Sequence, residues 1–257
     1  MTGTRGAAVV TGGAGGLGQA FVTALTAAGY AVMPVDLHGT ERLVDVTDAD
    51  ACRTLADDVR PDVWVNNAGV SWHGDALDMT DAEVERLVAV NLLGVIHGSR
   101  AAAAVMRRRG RGVILNVASL AGWVPTPHIA IYSATKHGVR AFSVALAAEL
   151  CDSPVRVQCL LPDGIDTPMV DPHDERQLMS FTGRRLLAPE DVATAGMALM
   201  RSRAIVASVP HRRGIGVRLL GVAPRLALKL RHPVERRAER HRRRVAARDH
   251  ASRRHHH

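Results

Sequence analysis

The sequence predicts an α/β fold: a single doubly wound parallel sheet of about seven strands with helices on both faces, followed by a basic C-terminal tail. Short apolar runs alternate with helical patterns along residues 7–210, which is typical of parallel sheets. A glycine-rich turn joins the first apolar run to the first helix. Residues 211–257 hold 14 arginines and one lysine against three acidic residues, a charge of +12, so the total of +8 leaves about −4 for residues 1–210. We therefore predict a domain over 1–210 and an arginine-rich tail, partly helical or disordered, over 211–257.

Seven apolar runs predict the strands, and the stretches between them predict the helices. The predicted strands are 7–10, 30–35, 42–46, 62–65, 112–117, 155–160 and 204–209. The predicted helices are 17–28, 50–59, 81–109, 131–150 and 189–200. Gly29 suits the end of the first helix, and Pro189 suits the first turn of the last one. Five residues, 37–41, join the second and third strands, which is too few for a helix.

Composition excludes several classes of protein. With 257 residues, 47% of them hydrophobic and 3% aromatic, the chain can bury a core of Ala, Val, Leu and Ile. No apolar run approaches the roughly 20 residues that span a bilayer, and the N-terminus does not resemble a signal peptide. Cys52, Cys151 and Cys159 are odd in number and widely spaced, which predicts reduced thiols in a cytoplasmic chain. No cluster has the spacing of metal ligands, so we predict no metal.

The glycine-rich turn at residues 11–18 predicts a nucleotide site. Glycines there allow close approach of a pyrophosphate, and the following helix N-terminus offers free N–H groups. The run fits GxGxxG at Gly13, Gly15 and Gly18, and also TGxxxGxG starting at Thr11. Spacing does not choose between the two patterns, and a flexible loop is the alternative. The candidate cofactor residues are Gly12, Gly15, Gly16, Leu17 and Gly18.

Asp36 ends the second predicted strand, 18 residues beyond Gly18. A carboxylate at this position can accept hydrogen bonds from the adenosine ribose hydroxyls and repel a 2′-phosphate. No Arg or Lys lies in the glycine turn, so the sequence favours NAD over NADP as cofactor. The alternative is a surface Asp that caps a turn.

Tyr132 and Lys136 are four residues apart on a predicted helix, so they share one face. The ammonium is expected to lower the pKa of the phenol and create an acid/base group that works near neutral pH. Lysine is scarce, since Lys136 and Lys229 are the two lysines of the chain. Taken alone, the pair is also compatible with an incidental contact on a surface helix.

Together these motifs resemble the short-chain dehydrogenase/reductase family over residues 5–210. The match consists of the glycine turn, Asp36, Asp45-Val46, Asn66-Asn67-Ala68-Gly69, Asn91, Ser119, Tyr132 to Lys136, and residues 162–167, in this order. The resemblance implies a Rossmann-type catalytic domain that transfers hydride between a nicotinamide cofactor and an alcohol or ketone. It also implies a homo-oligomer, either a dimer or a tetramer.

The resemblance implies roles residue by residue. Tyr132 exchanges a proton with the substrate oxygen, Lys136 assists it and holds the nicotinamide ribose, and Ser119 orients that oxygen. Asn91 belongs to a proton relay and binds a water through its backbone. The remaining implied cofactor contacts are Asp45, Val46, Asn67, Ala68, Gly69, Ile165 and Thr167.

Three features depart from the family pattern. Asp163 stands where a glycine usually follows the proline, and no helix is predicted between the second and third strands. The basic tail replaces the short C-terminal segment that often builds a tetramer interface.

The substrate end is expected to be apolar. Six residues close to the catalytic and cofactor segments are expected to face the cleft: Trp72, His73, Trp123, Val124, His128 and Met169. Residues 168–188 are expected to form a loop over the substrate. Two tryptophans in a chain poor in aromatics favour a bulky, apolar secondary alcohol or ketone, although ordinary packing explains them equally well.

The tail has three interpretations. Its first part carries apolar residues near helical spacing, so it can lie on an anionic membrane surface or pack against the core, while a solvated tail is the default. No nucleic-acid function is expected, because aromatics are not interleaved with the arginines. The second functional hypothesis is a nucleotide-binding protein with little catalysis whose tail contacts a membrane or partner.

Overall fold

A computed structural model describes residues 5–124, 126–167 and 186–223, together with Arg225 and Lys229. Seven parallel strands form one sheet in the order β3-β2-β1-β4-β5-β6-β7. The strands are β1 Ala7–Thr11, β2 Ala31–Asp36, β3 Arg42–Leu43, β4 Val63–Asn66, β5 Gly112–Val117, β6 Val155–Pro162 and β7 Val206–Val209. The helices are α1 Gly16–Ala27, α2 Ala49–Val59, α3 Asp81–Val88, α4 Gly94–Arg109, α5 Ala130–Glu149, α6 Pro189–Arg201 and α7 His211–Gly221. The predicted doubly wound fold is confirmed.

Every strand and helix predicted within residues 7–210 is present, and two elements differ most from their predicted extent. The third strand covers Arg42–Leu43 instead of residues 42–46. The single helix predicted over 81–109 is divided by a π-helical turn at Ala89–Leu93, a feature often found at functional sites. No helix joins β2 to β3, as the short connection predicts.

Neighbouring residues on each central strand enter two separate cores, because successive side chains point to opposite faces. Val9 and Trp64 pack with Leu55 of α2 on one face. Val10 packs with Phe21 of α1 on the other face. Strand order reverses between β1 and β4, and in such sheets the crevice at the carboxyl ends of the strands is the usual ligand site.

A buried polar network fixes β4 and β5 beneath that crevice. Asn66 Nδ2 donates to Asn116 Oδ1 at 2.8 Å and to Ser99 Oγ at 3.0 Å. Asn116 Nδ2 donates to Ser143 Oγ at 2.9 Å. The network joins both strands to α4 and α5, and buried amides satisfied in this way specify one arrangement.

Residues Asp81–Arg109 form a stretch long and apolar enough to cross a membrane by length and composition. Half of its most apolar window is buried inside the protein, and α4 contributes Val105 and Met106 to the core. The stretch is therefore part of the core of the domain.

The first part of the basic tail forms helix α7 and packs against the domain. Gly214 is buried, and Val217 packs against the cluster that contains Cys159 and Leu161. Ile215, Leu219 and Val222 lie on the opposite side and are 51%, 65% and 80% exposed. Apart from Arg225 and Lys229, the tail beyond Ala223 lies outside the described residues.

Candidate active site

One cleft of about 1400 Å³ lies at the carboxyl ends of the strands. It brings together the predicted cofactor and catalytic residues, with the exception of Asn91. The members that line it are Gly12, Gly15, Gly16, Leu17, Gly18, Asp36, Asp45, Val46, Asn67, Ala68, Gly69, Ser119, Tyr132, Lys136, Ile165 and Thr167. Residues from separate loops therefore meet around one volume large enough for a dinucleotide and a substrate.

The glycine turn is built on close backbone approach. Gly12 has a φ of +66°, in the left-handed region that favours glycine. A Cβ at Gly18 would lie 2.0 Å from the Gly12 carbonyl oxygen. A Cβ at Gly13 would lie 2.7 Å from Pro34, and Gly13 does not line the cleft. Of the two overlapping patterns, TGxxxGxG therefore describes the glycines that face the cleft.

Thr11 and Asn67 join the glycine turn to the loop after β4. Thr11 Oγ1 accepts hydrogen bonds from the backbone N–H groups of Asn67 at 3.0 Å and Ala68 at 3.1 Å. Asn67 Nδ2 donates to the carbonyl oxygens of Thr11 and Gly12, both at 3.1 Å. The two loops are thus held as one rigid edge of the cleft.

Asp36 is half-buried at one end of the cleft. Its Oδ2 accepts from Ala14 N at 3.1 Å and its Oδ1 accepts from Leu37 N at 2.8 Å. The carboxylate therefore does cap the turn, which was the alternative read from the sequence. Each oxygen keeps further lone-pair capacity, so this capping is compatible with accepting a ribose hydroxyl as well.

Ser119, Tyr132 and Lys136 meet at the other end. Ser119 follows β5, and Tyr132 and Lys136 lie on α5. Lys136 Nζ is 5.5 Å from the centroid of the Tyr132 ring and donates to the Val117 carbonyl oxygen at 3.2 Å. The Ser119 side chain lies beside the Tyr132 phenol, close enough to lower its pKa by hydrogen bonding. Three groups from two distant segments therefore share one volume.

Burial controls the protonation of this group. It raises the pKa of Tyr132, and the hydrogen bond from Ser119 opposes that shift. Burial also lowers the pKa of Lys136 to about 8. The lowered tyrosine pKa expected from the sequence is therefore wrong for the chain by itself, because burial disfavours the phenolate by more than Ser119 favours it.

Asn91 is fully buried in the π-helical turn and does not line the cleft. Its Nδ2 donates to the Val70 carbonyl oxygen and its Oδ1 accepts from Val70 N, both at 2.8 Å. A Cβ at Gly69 would lie 3.2 Å from Asn91 Oδ1. The side chain thus holds the loop after β4, and the backbone water relay remains a prediction.

Three of the six residues that were expected to face the cleft at its substrate end do line it. Trp72, His73 and Val124 line the cleft. Leu186 also does so, whereas Met169 and most of the expected loop, residues 168–185, lie outside the described residues.

Two residues that were expected to face the cleft, Trp123 and His128, do not face it. The Trp123 ring lies 4.0 Å from the Arg140 guanidinium carbon and 5.1 Å from that of Arg218, and its Nε1 donates to Ser208 Oγ at 3.3 Å. His128 has a φ of +64°, and its carbonyl oxygen accepts from Gly74 N at 2.9 Å. Neither side chain lines the cleft. Trp123 instead stacks against the two arginines. The left-handed backbone of His128 directs its side chain away from the cleft.

Among the lining residues that sequence reasoning missed are Arg213 and Val217, which α7 brings to the cleft. The presence of Asp163 at an unusual position was the available signal, because Arg213 Nε forms an ion pair with Asp163 Oδ2.

The three cysteines are unpaired, and two of them are buried. Burial raises the pKa of Cys52 to about 11 and that of Cys159 to about 12, so both are thiols at neutral pH. Within the described ranges of the chain, no group of three or more His, Cys, Asp or Glu side chains is arranged to hold a metal ion.

The cleft fits a dinucleotide cofactor. The glycine turn leaves space that side chains would fill, since a Cβ at Gly15 would have its nearest contact at 3.5 Å. The N-terminus of α1 adjoins that space and favours a pyrophosphate. A carboxylate at one end and the Ser119, Tyr132 and Lys136 group at the other suit an adenosine and a nicotinamide half.

Comparisons with known proteins agree with this geometry. Residues 6–178 match the family model described as short chain dehydrogenase. Galactitol 2-dehydrogenase of Rhizobium johnstonii is 37% identical over 223 residues, covering 75% of this chain and 86% of the relative. The 3-alpha-(or 20-beta)-hydroxysteroid dehydrogenase of Mycobacterium bovis is 35% identical over 196 residues, which cover 69% of this chain and 75% of the relative. The crystal structure of a short chain dehydrogenase/reductase from Burkholderia phymatum in complex with NAD has a TM-score of 0.77 at 23% identity. The match covers 88% of this chain and 96% of that one and shows that the two share a fold.

Proposed function

The chain belongs to the short chain dehydrogenase family and is an oxidoreductase acting on CH–OH or C=O groups, and we propose that it transfers hydride between NAD and an apolar secondary alcohol or ketone. The observation that carries this proposal is the meeting of Ser119, Tyr132 and Lys136 at one end of a cleft whose other end is a glycine turn and a carboxylate.

In this proposal the nicotinamide supplies or accepts the hydride. The residues proposed to hold the cofactor are the predicted cofactor set that lines the cleft, from Gly12 to Thr167. Tyr132 gives a proton to the substrate oxygen in reduction and takes one in oxidation. Ser119 orients that oxygen, and the cation of Lys136 stabilises the phenolate.

The raised pKa of Tyr132 gives the two directions different requirements. Ketone reduction needs the phenol, which is the dominant form at neutral pH. Alcohol oxidation needs the phenolate, whose fraction rises with pH. Oxidation is therefore the direction that gains most from alkaline conditions in this proposal.

An apolar substrate is supported by apolar side chains that line the same cleft as Tyr132. Trp72, Val124 and Ile129 line the cleft, and Val217 adds a further apolar group. The relative from Mycobacterium bovis is named for hydroxysteroids, which are apolar alcohols, whereas the one from Rhizobium johnstonii is named for galactitol. A panel of apolar and polyhydroxylated alcohols, followed by NADH absorbance, tests the choice. Faster turnover of the polyols would contradict it.

Asp36 should make NADH bind more tightly than NADPH. Replacing Asp36 by Ala removes a charged hydrogen-bond acceptor, worth about 1.5–3 kcal/mol, so the preference for NADH should fall by about tenfold or more. Fluorescence titration of both cofactors measures this. Glu41→Gln is the matched control, because Glu41 is an exposed carboxylate in the same connection that does not line the cleft. Tighter binding of NADPH by the unmodified protein would refute the role.

A peripheral membrane contact is a second candidate role, carried by the outer face of α7. Ile215, Leu219 and Val222 form an exposed apolar row. The sequence from Val192 to Val234 contains eight Arg and Lys residues and no acidic residue. Apolar side chains beside positive charge suit an anionic bilayer surface.

Vesicle flotation tests that contact. The full chain should float with vesicles of phosphatidylserine and phosphatidylcholine and not with phosphatidylcholine alone, and a variant with Ile215, Leu219 and Val222 all changed to Ser should lose most of the binding. Leu77→Ser, at an even more exposed site away from α7, should not lose it. Equal flotation of the triple variant would remove the membrane role.

We further propose a cytoplasmic location and a homo-oligomer, either a dimer or a tetramer. Sedimentation equilibrium of the full chain measures the oligomer directly, and a monomer at micromolar concentration would contradict it.

A further inference from the structure

Two departures of this chain from the family pattern lie side by side. Asp163 stands where a glycine usually follows the proline at the end of β6. Arg213 belongs to the basic segment that replaces the usual C-terminal one. Arg213 Nε and Asp163 Oδ2 form an ion pair, and both residues line the cleft. Each departure therefore supplies one half of a single interaction.

The Asp163 carboxylate is held in a defined place. Asp163 N donates to the Val209 carbonyl oxygen at 2.8 Å, and Asp163 Oδ1 accepts from Gly164 N at 3.0 Å. Its side chain is 13% exposed, and burial raises its pKa although Arg213 opposes that shift. A buried ion pair of this kind adds little net stability, because desolvation offsets the attraction. Stability alone therefore does not explain the pair.

Helix α7 approaches the domain too closely to be a loosely attached tail. A Cβ at Gly214 would lie 2.2 Å from Ser208 Cβ, and a Cβ at Gly221 would lie 2.1 Å from the Trp123 carbonyl oxygen. The Arg218 guanidinium also lies 5.1 Å from the Trp123 ring centroid. The inner edge of α7 is thus placed by packing at both ends.

That inner edge lines the cleft that also contains Tyr132. Arg213 and Val217 lie one helical turn apart, and both line the same cleft as Tyr132. Val217 also packs with the cluster that contains Leu161, on the strand that precedes Asp163. The side chains of α7 therefore bound the space in which a substrate would lie beside Tyr132.

We propose that the Asp163–Arg213 pair fixes α7 as a wall of the substrate site, so that Arg213 is a specificity-determining residue that limits the size of the ketone or alcohol admitted. The inference rests on the proposed function and adds the residue that sets the size of the substrate class. Removing the side chain of Arg213 opens space for larger ketones.

The test compares cyclohexanone with progesterone as a small and a large ketone. In Arg213→Ala, the ratio of kcat/KM for progesterone to that for cyclohexanone should rise by about tenfold or more, since small changes in an apolar pocket alter discrimination by this amount. The change should lie mainly in the KM for progesterone. Arg213→Lys keeps the charge and most of the length and should stay within about threefold of the original ratio.

Arg212→Ala is the matched control, because Arg212 is an exposed neighbour on the same helix that does not line the cleft. Its ratio should equal that of the unmodified chain. Thermal unfolding of each variant identifies any that fail to fold, and Asp163→Asn then serves as the second way to break the pair. An unchanged ratio in the folded Arg213→Ala and Asp163→Asn proteins would overturn the inference.

Calorimetric titration of progesterone into the full-length proteins separates this inference from the proposed function. If neither ketone is turned over by the unmodified chain, the proposed function fails for these ketones, yet binding can still be measured. Tighter binding of progesterone by Arg213→Ala than by the unmodified chain supports the inference that Arg213 limits the size of the substrate. Equal affinity, or no binding to either protein, counts against it.

Discussion

Replacing Tyr132 by Phe should lower kcat by about 10²–10⁴-fold, the usual contribution of general acid–base catalysis, while NADH affinity stays within about threefold. The phenylalanine keeps the ring that lines the cleft and removes the hydroxyl that lies beside Ser119. Steady-state kinetics with any alcohol or ketone accepted by the enzyme, together with NADH fluorescence, measures the two effects separately.

Tyr30→Phe is the control for this prediction, because Tyr30 is the other tyrosine of the chain and packs against the core next to α1. It should leave kcat unchanged. If Tyr132→Phe turns over at the original rate, the acid/base assignment is wrong. If it loses NADH binding as well, the hydroxyl serves the cofactor site rather than proton transfer.

Replacing Lys136 by Met should lower kcat by about 10²-fold or more without lowering thermal stability at pH 7. The Met side chain fills a similar space and carries no charge to desolvate. The pKa of Lys136 falls from 10.5 to about 8 through burial, which corresponds to a cost on the order of 3 kcal/mol for keeping the charged form in the fold. Loss of the hydrogen bond to the Val117 carbonyl oxygen offsets part of the gain, by about 1–3 kcal/mol.

The stability difference should depend on pH in a defined direction. Between about pH 8 and 10.5 the unfolded chain still holds the lysine proton that the folded chain has lost, so the free energy of unfolding of the unmodified protein rises with pH across this window. Lys136→Met lacks this dependence. Its stability relative to the unmodified protein should therefore be highest below pH 8 and decline by pH 10.5.

Thermal unfolding scans at several pH values, combined with kinetics at pH 7, check both parts of this prediction. Lys229→Met is the control, because Lys229 is the other lysine of the chain and is exposed. It should change neither kcat nor the pH dependence of unfolding. A Lys136→Met protein that is markedly less stable at pH 7, or that retains its activity, would contradict the assignment.

The elements of the fold were predictable because they are local patterns. Apolar runs between turn residues located every strand, and the glycine turn, Asp36 and the Tyr132–Lys136 spacing all lie within single short segments. The π-helical turn at Ala89–Leu93 was not predictable from the apolar pattern, which continues through it.

The errors occur where a side chain's direction depends on distant partners. Trp123 follows the catalytic segment closely, but Arg140 and Arg218 hold it between α5 and α7. His128 has left-handed backbone geometry that its residue type does not reveal. The expected pKa of Tyr132 failed for a related reason, because spacing shows which charge is near but not how far both groups are removed from water.

The sequence by itself determined the order of strands and helices, the glycine turn and the residue types needed for proton transfer, because each depends on neighbours within a few positions along the chain. Tertiary structure decided which glycines face the cleft, that burial governs the protonation of Tyr132 and Lys136, and that Arg213 meets Asp163 across 50 residues. Desolvation and long-range contact are properties of packed neighbours, and packing brings together residues that no local pattern connects.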